Sequence, residues 1–148
     1  MISINPGSGP VEEEATFSPD GRRVAVQRTV QNNFDVWLID LMRDSRTRFT
    51  FDAAIDGSPL WSPDGTRIAF RSNRKEAYDL YLKPSSGAGS EQLLRESTAQ
   101  KNPLSWSSDG RFLLFYEVDS KTGHDLWTQP LTGDGKPSPW LNTPFTET

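Results

Sequence analysis

The chain has 148 residues, 34% apolar and 11% aromatic, with a formal net charge of −4 and no cysteine. That is enough chain for one domain with a real core. The mild acidity, with no Lys/Arg block longer than two residues, argues against a nucleic-acid partner, and the lack of cysteine excludes disulfides and thiolate metal sites.

No apolar run reaches the length needed to span a bilayer. Eleven glycines and eleven prolines punctuate the chain, a pattern expected of an all-β protein with many short strands. Residues 1–10 read as a polar, glycine-rich leader. They lack the basic region and apolar core of a signal peptide, and the alternation Ile2-Ser3-Ile4 could add a strand to a neighbouring sheet edge.

From Val11 the chain repeats itself. A short strand over 13–18 runs into Phe17-Ser18-Pro19-Asp20-Gly21, and the motif returns as Trp61-Ser62-Pro63-Asp64-Gly65 and as Trp106-Ser107-Ser108-Asp109-Gly110, 44 and then 45 residues on. Ser-Pro-Asp-Gly is a turn sequence: proline presets φ, aspartate suits the third position, and glycine accepts φ > 0 at the fourth. The serine at position 108 is expected to loosen the third copy. An aspartate recurring once per repeat belongs to the turn rather than to a metal or catalytic site.

After each turn comes an apolar strand, Arg23 to Val26, Arg67 to Phe70 and Phe112 to Tyr116, expected to be buried on both faces. A polar loop follows, at 29–33, 73–77 and 119–123. The third strand carries a second phased marker, Asp35-Val36-Trp37, Asp79-Leu80-Tyr81 and Asp125-Leu126-Trp127. The shared phase of Trp37, Tyr81 and Trp127 places them in packing between repeats rather than on a ligand platform. A more polar fourth strand, at 46–50, 91–95 and 138–142, suits an outer edge.

Four strands in about 44 residues make one blade of a β-propeller. The divisions are a leader at 1–10, blade 1 at 11–53, blade 2 at 54–98, and blade 3 with the start of a further repeat at 99–148. Propellers close with about four to eight blades, so three should not stand alone. A head-to-tail homodimer completing a six-bladed ring is expected, covering apolar faces assigned to 68–70 and 112–115.

The pattern Trp/Phe-Ser-Pro-Asp-Gly-x-x-Ile-Ala-Phe, followed by Asp-Leu-Tyr/Trp, resembles the TolB-like propeller repeat over Val11 to Asn142. WD repeats reverse the order seen in Asp35-Val36-Trp37. The resemblance implies kinship with the periplasmic TolB component, with the propellers of prolyl-oligopeptidase-like and tricorn-like peptidases, and with propellers attached to bacterial Ser/Thr kinases. The ending Thr143 to Thr148 is most similar to the kinase-linked or sensor-like members. A periplasmic setting is implied by the resemblance alone.

Catalytic equipment is not visible. The single histidine, His124, has no Gly-x-Ser-x-Gly elbow to serve. Asp134 and its neighbours lack the carboxylate spacing of a calcium loop, and Gly87-Ala88-Gly89-Ser90 lacks a phosphate-loop lysine. No cofactor, metal or catalytic residue is expected. The expectation is a non-catalytic module binding protein or peptide, with alternatives in the gating propeller of a peptidase or in a structural or engineered fragment without a selected ligand. Binding is expected at the loops that differ between repeats, with Asp56, Arg74, Lys75, Lys101 and His124 as the candidate residues.

Overall fold

The computed structural model describes residues 11–119, 121, 123–132 and 135–139. Among these there is no helix. Twelve strands form three four-stranded antiparallel sheets, each ordered as its strands occur in sequence. Blade 1 holds β1 (Val11–Phe17), β2 (Arg23–Val30), β3 (Asn33–Asp40) and β4 (Ser45–Arg48). Blade 2 holds β5 (Asp56–Trp61), β6 (Arg67–Lys75), β7 (Ala77–Pro84) and β8 (Gln92–Arg95). Blade 3 holds β9 (Gln100–Trp106), β10 (Phe112–Asp119), β11 (Gly123–Pro130) and β12 (Ser138–Pro139). The expected leader strand at Ile2 to Ile4 and the continuation of β12 to Asn142 lie outside the described residues.

The repeated turn works through its side chains as well as its backbone. In the second copy Gly65 N donates to Ser62 O at 2.9 Å and Ser62 N to Arg67 O at 2.9 Å. Asp64 Oδ1 accepts from Ser62 Oγ at 2.7 Å, Thr66 N at 3.0 Å and Thr66 Oγ1 at 2.7 Å. Gly65 sits at φ +73°, which glycine alone adopts at no steric cost. Ser107 and Asp109 make the matching serine–aspartate bond at 2.7 Å, and Gly110 N reaches Ser107 O at 2.9 Å. The serine at 108 therefore leaves these bonds in place, because proline contributes no donor to them.

Burial on both faces of the second strand holds in blades 1 and 2, where Val24, Ala25, Val26, Ile68, Ala69 and Phe70 are all at most 1% exposed. It does not hold in blade 3, where Leu113 and Phe115 are buried toward blade 2 and Phe112, on the other face, is 39% exposed because no blade covers it. Alternation sends one set toward each neighbouring blade. Ala25 and Val36 of blade 1 meet Trp61, Ile68, Phe70 and Tyr81 of blade 2, with Phe49 between. Ala69, Leu80 and Leu82 of blade 2 meet Leu113 and Phe115 of blade 3, with Trp106 and Trp127 alongside. Each junction repeats one polar clasp. Trp61 Nε1 donates to Thr16 O at 3.1 Å beneath the Arg23 guanidinium, and Trp106 Nε1 donates to Leu60 O at 3.4 Å beneath that of Arg67.

Several expectations need correction. Ile68 to Phe70, Leu113 and Phe115 belong to the two internal junctions and are not exposed terminal faces. The exposed apolar groups on the two end blades include Phe17 (63%), Met42 (80%), Leu104 (41%), Phe112 (39%) and Val118 (38%). Tyr81 and Trp127 do pack between blades, but Trp37 joins Val24, Val26 and Ile39 on the face of blade 1 turned away from blade 2. The polar loops expected at 29–33 and 73–77 are mostly strand. Their side chains are polar, but their backbone continues the ladder, as Thr29↔Phe34 and Val30↔Asn33 show. Gln31 and Asn32, at φ +51° and +64°, make a two-residue turn of the kind that matches strand twist.

Candidate functional site

Each blade is a meander, so its connections alternate between two ends. One end carries the three Ser-x-Asp-Gly turns with the links β3–β4, β7–β8 and β11–β12. The other carries the hairpins β2–β3, β6–β7 and β10–β11 together with the links between blades. All five candidate residues belong near this hairpin end, but the structure sorts them very differently.

Asp56 and Lys101 occupy the same repeat position and are not on exposed loops. Asp56 opens β5 and is fully buried; Lys101 is the second residue of β9 and 1% exposed. Sequence reading missed this because a charged residue beside a polar linker ordinarily marks surface, whereas here it faces the preceding blade. Lys101 Nζ bonds Asp79 Oδ1 at 2.7 Å, Ala99 O at 2.6 Å and Ser97 O at 3.2 Å. With Arg95 Nε–Glu117 Oε1 at 2.8 Å, it is one of two ion pairs that cross the junction between blades 2 and 3, and the more buried of them.

At the junction between blades 1 and 2 the corresponding pair is acid on acid. Asp35 is held by Arg48 Nη2 at 2.6 Å and Thr50 Oγ1 at 3.1 Å, and Asp56 also interacts with it. Burial pushes the carboxyl of Asp35 upward, against the pull of Arg48. Burial drives Asp56 further, to about 6, despite bonds from Ser72, Thr50 and Arg74. Its Oδ2 is buried without a partner. Arg74 Nη2 lies 3.3 Å from Asp56 and 3.9 Å separates its Nε from Asp52; it also pairs with Glu91 and lies over the Tyr81 ring at 4.4 Å. Arg74 and Asp56 are thus brought together, as a part-buried ion pair within blade 2 rather than a loop-borne contact.

Lys75 and His124 are the candidates that do face solvent. Lys75 is half-exposed and 3.5 Å from Glu96. The two flank an open groove of about 440 Å³ lined by Lys75, Glu76, Ala77, Glu96, Ser97 and Gln100. The groove residues Glu96 to Thr98 were missed from sequence; their only signal is a polar run between two strands. His124 is exposed near the start of β11 and packs edge-on against Tyr116, ring centres 5.1 Å apart. Among the described residues no group of three or more His, Cys, Asp or Glu could hold a metal ion.

The inner strands hold a second feature invisible in composition. Glu14 and Ser58, 44 residues apart, both adopt positive φ, +53° and +49°. Ser58 N donates to Glu14 Oε2 at 2.7 Å, and Ser58 Oγ to Asn102 Oδ1 at 2.9 Å. One polar line therefore stitches the innermost strands of all three blades.

Comparison with known proteins matches this architecture. The family model described as the TolB beta propeller domain matches residues 10–136. Tricorn protease homolog 1 of Streptomyces coelicolor is 29% identical over 107 residues, covering 72% of this chain and 10% of that protein. TolB from Acinetobacter baumannii superposes with a TM-score of 0.75 at 23% identity, over 92% of this chain and 34% of that one. Prolyl oligopeptidase B from Galerina marginata gives 0.63 at 15% identity, over 86% and 21%. The chain spans about a tenth of the curated relative and no more than about a third of these solved chains.

Proposed function

The chain belongs to the TolB β-propeller family, and from that membership we propose that it is a non-catalytic module that binds protein or peptide at its hairpin end. The groove between Lys75 and Glu96 carries this reading. The turn end is committed three times over to one hydrogen-bonded design, while the hairpin end differs from blade to blade and keeps a half-exposed ion pair beside an open groove. A cleft flanked by one cation and one anion suits the alternating dipoles and mixed charges of a polypeptide.

The test is selection of a displayed random peptide library on the 148-residue chain, with counter-screening on Lys75→Glu and Glu96→Lys. Selected peptides should lose at least about tenfold in affinity for one of these variants. Peptides that bind both variants as well as the parent place the site elsewhere. Chromogenic peptide and ester substrates should show no turnover; turnover abolished by changing His124 overturns the non-catalytic reading.

A second reading is supported by the match to a tricorn protease homolog and the likeness to prolyl oligopeptidase B. In it the propeller is the gating or substrate-selecting part of a peptidase whose nucleophile is carried elsewhere. A Ser/His/Asp triad encoded in the same reading frame favours it; a kinase domain or an export signal favours the binding module and, with the latter, a periplasmic setting.

A further inference from the structure

Asp56 stands where the second junction has its buried ammonium. There Lys101 Nζ bonds Asp79 Oδ1 at 2.7 Å, and both residues are 1% exposed. At the first junction Asp35 holds the position of Asp79, and Asp56 holds that of Lys101. Asp35 and Asp56 are 2% and 0% exposed, so a second carboxyl has replaced the cation without gaining access to water.

The two carboxyls are served unequally. Asp35 Oδ2 takes Arg48 Nη2 at 2.6 Å and Asn33 Nδ2, and its Oδ1 takes Thr50 Oγ1 at 3.1 Å. Donors on both oxygens suit an ionised carboxylate. Asp56 Oδ1 lies 3.3 Å from Arg74 Nη2, while its Oδ2 is buried with no donor. Asp35 nevertheless bonds Asp56. Carboxylate oxygens only accept, so two carboxyls hydrogen-bond only when one of them keeps its proton. The oxygen free to carry it is Asp56 Oδ2, and burial favours the same protonated form.

The surrounding charges are committed elsewhere. Arg48 serves Asp35 and, through Nε, the Thr50 carbonyl at 2.9 Å. Arg74 on β6 is shared among Asp56, Asp52 and Glu91, and its Nε donates to Ser72 Oγ at 2.9 Å. β7 places Tyr81 beneath Arg74. β1 sends Glu14 to Ser58, and β2 sets the neutral Gln27 against Gly57. Neither arginine is therefore free to hold Asp56 ionised.

We propose that Asp35 and Asp56 share one proton that joins blade 1 to blade 2, as Lys101 joins blade 2 to blade 3, and that its loss loosens the first junction alone. The closed pair binds the proton more tightly than an open one does, so closure is favoured in mild acid and weakens as pH rises. Two buried carboxylates in contact then repel each other until the seam opens to water.

The experiment follows both carboxyls and the seam in the 148-residue chain. Carbon-detected NMR of the side-chain carboxyls should show Asp56 titrating at about 6, with Asp35 responding at the same midpoint because one proton serves both. Amide hydrogen exchange, corrected for its intrinsic pH dependence, is read in parallel at Val36 and Thr50. Val36 N donates to Thr50 Oγ1 at 3.0 Å, and that hydroxyl donates to Asp35. Protection at these two amides should fall about tenfold between pH 5 and 8, while Leu80 and Ser97 at the second junction change less than about twofold. Asp56→Asn keeps the neutral form at every pH and should remove the change at Val36 and Thr50. Asp35→Asn, a second variant should the first not fold, should lower the Asp56 midpoint by at least about one pH unit. Asp56 titrating in the ordinary carboxylate range, Asp35 silent at the Asp56 midpoint, or an unmoved midpoint in Asp35→Asn overturns the shared proton. Equal loosening of both junctions, or a pH response kept in Asp56→Asn, overturns the latch.

Discussion

Replacing Lys101 by methionine tests the packing between blades most directly. Met keeps the length and apolar volume of the stem and deletes only the ammonium. Lys101 and Asp79 are 1% exposed as residues, so neither charge has water to fall back on. The substitution strips Asp79 of its 2.7 Å partner and leaves Ser97 N, at 3.3 Å, as its remaining hydrogen bond on that oxygen. Its other oxygen is already buried without a partner, and the carbonyls of Ser97 and Ala99 lose their donor. Breaking one side of a buried ion pair costs about 3–5 kcal/mol, because the surviving charge keeps its desolvation penalty and loses its compensation. With a urea m-value of about 1–3 kcal/mol/M, the midpoint followed by tryptophan fluorescence should fall by at least about 1 M. Lys75→Met, which removes the half-exposed partner of Glu96, should change stability by less than about 1 kcal/mol. Asp79→Leu combined with Lys101→Met should recover most of the loss, since both charges are then gone. A Lys101→Met loss within about 1 kcal/mol of the parent refutes the reasoning: the seam between blades 2 and 3 would then be wet enough to solvate Asp79.

Gly65→Val should lower the urea midpoint more than Asp64→Ala, by roughly 1–3 kcal/mol for strain at φ +73°. The three bonds accepted by Asp64 Oδ1 narrow the margin between the two variants, and equal midpoints count against the backbone argument. Asp56 makes stability fall as pH rises: its folded pKa of about 6 lies above the ordinary 3.8, so the folded state holds the proton more tightly across that window. The loss between pH 4 and 7 should be roughly 1–3 kcal/mol, flattened in Asp56→Asn; a parent whose stability rises through this range contradicts the assignment. Light scattering at micromolar concentration should return twice the 16.6 kDa chain mass, since three blades do not close a ring and Phe112 and Val118 stay more than a third exposed. A folded species of one-chain mass refutes closure by a second copy.

The repeat, the turns and the strand order were legible in the sequence because each is decided within a few residues. Serine, aspartate and glycine at fixed spacing close the same hydrogen bonds wherever they occur. A Val-Ala-Val or Ile-Ala-Phe run has no polar face to give to water. The alternation of each strand also placed Tyr81 and Trp127 correctly between blades.

The candidate site was legible only in part. Lys75 was placed correctly on the surface, but Asp56 and Lys101 were read as loop charges and proved to be buried at the two junctions. Their partners are Arg74, 18 residues on, and Asp79, 22 residues back. Trp37 shares the phase of Tyr81 and Trp127, yet it packs on the face of blade 1 away from blade 2, because phase fixes a face and only the neighbouring blade decides what covers it. Local backbone chemistry fixed the blades; stacking one blade on the next decided which charges lost their water, since that depends on groups far apart in the chain.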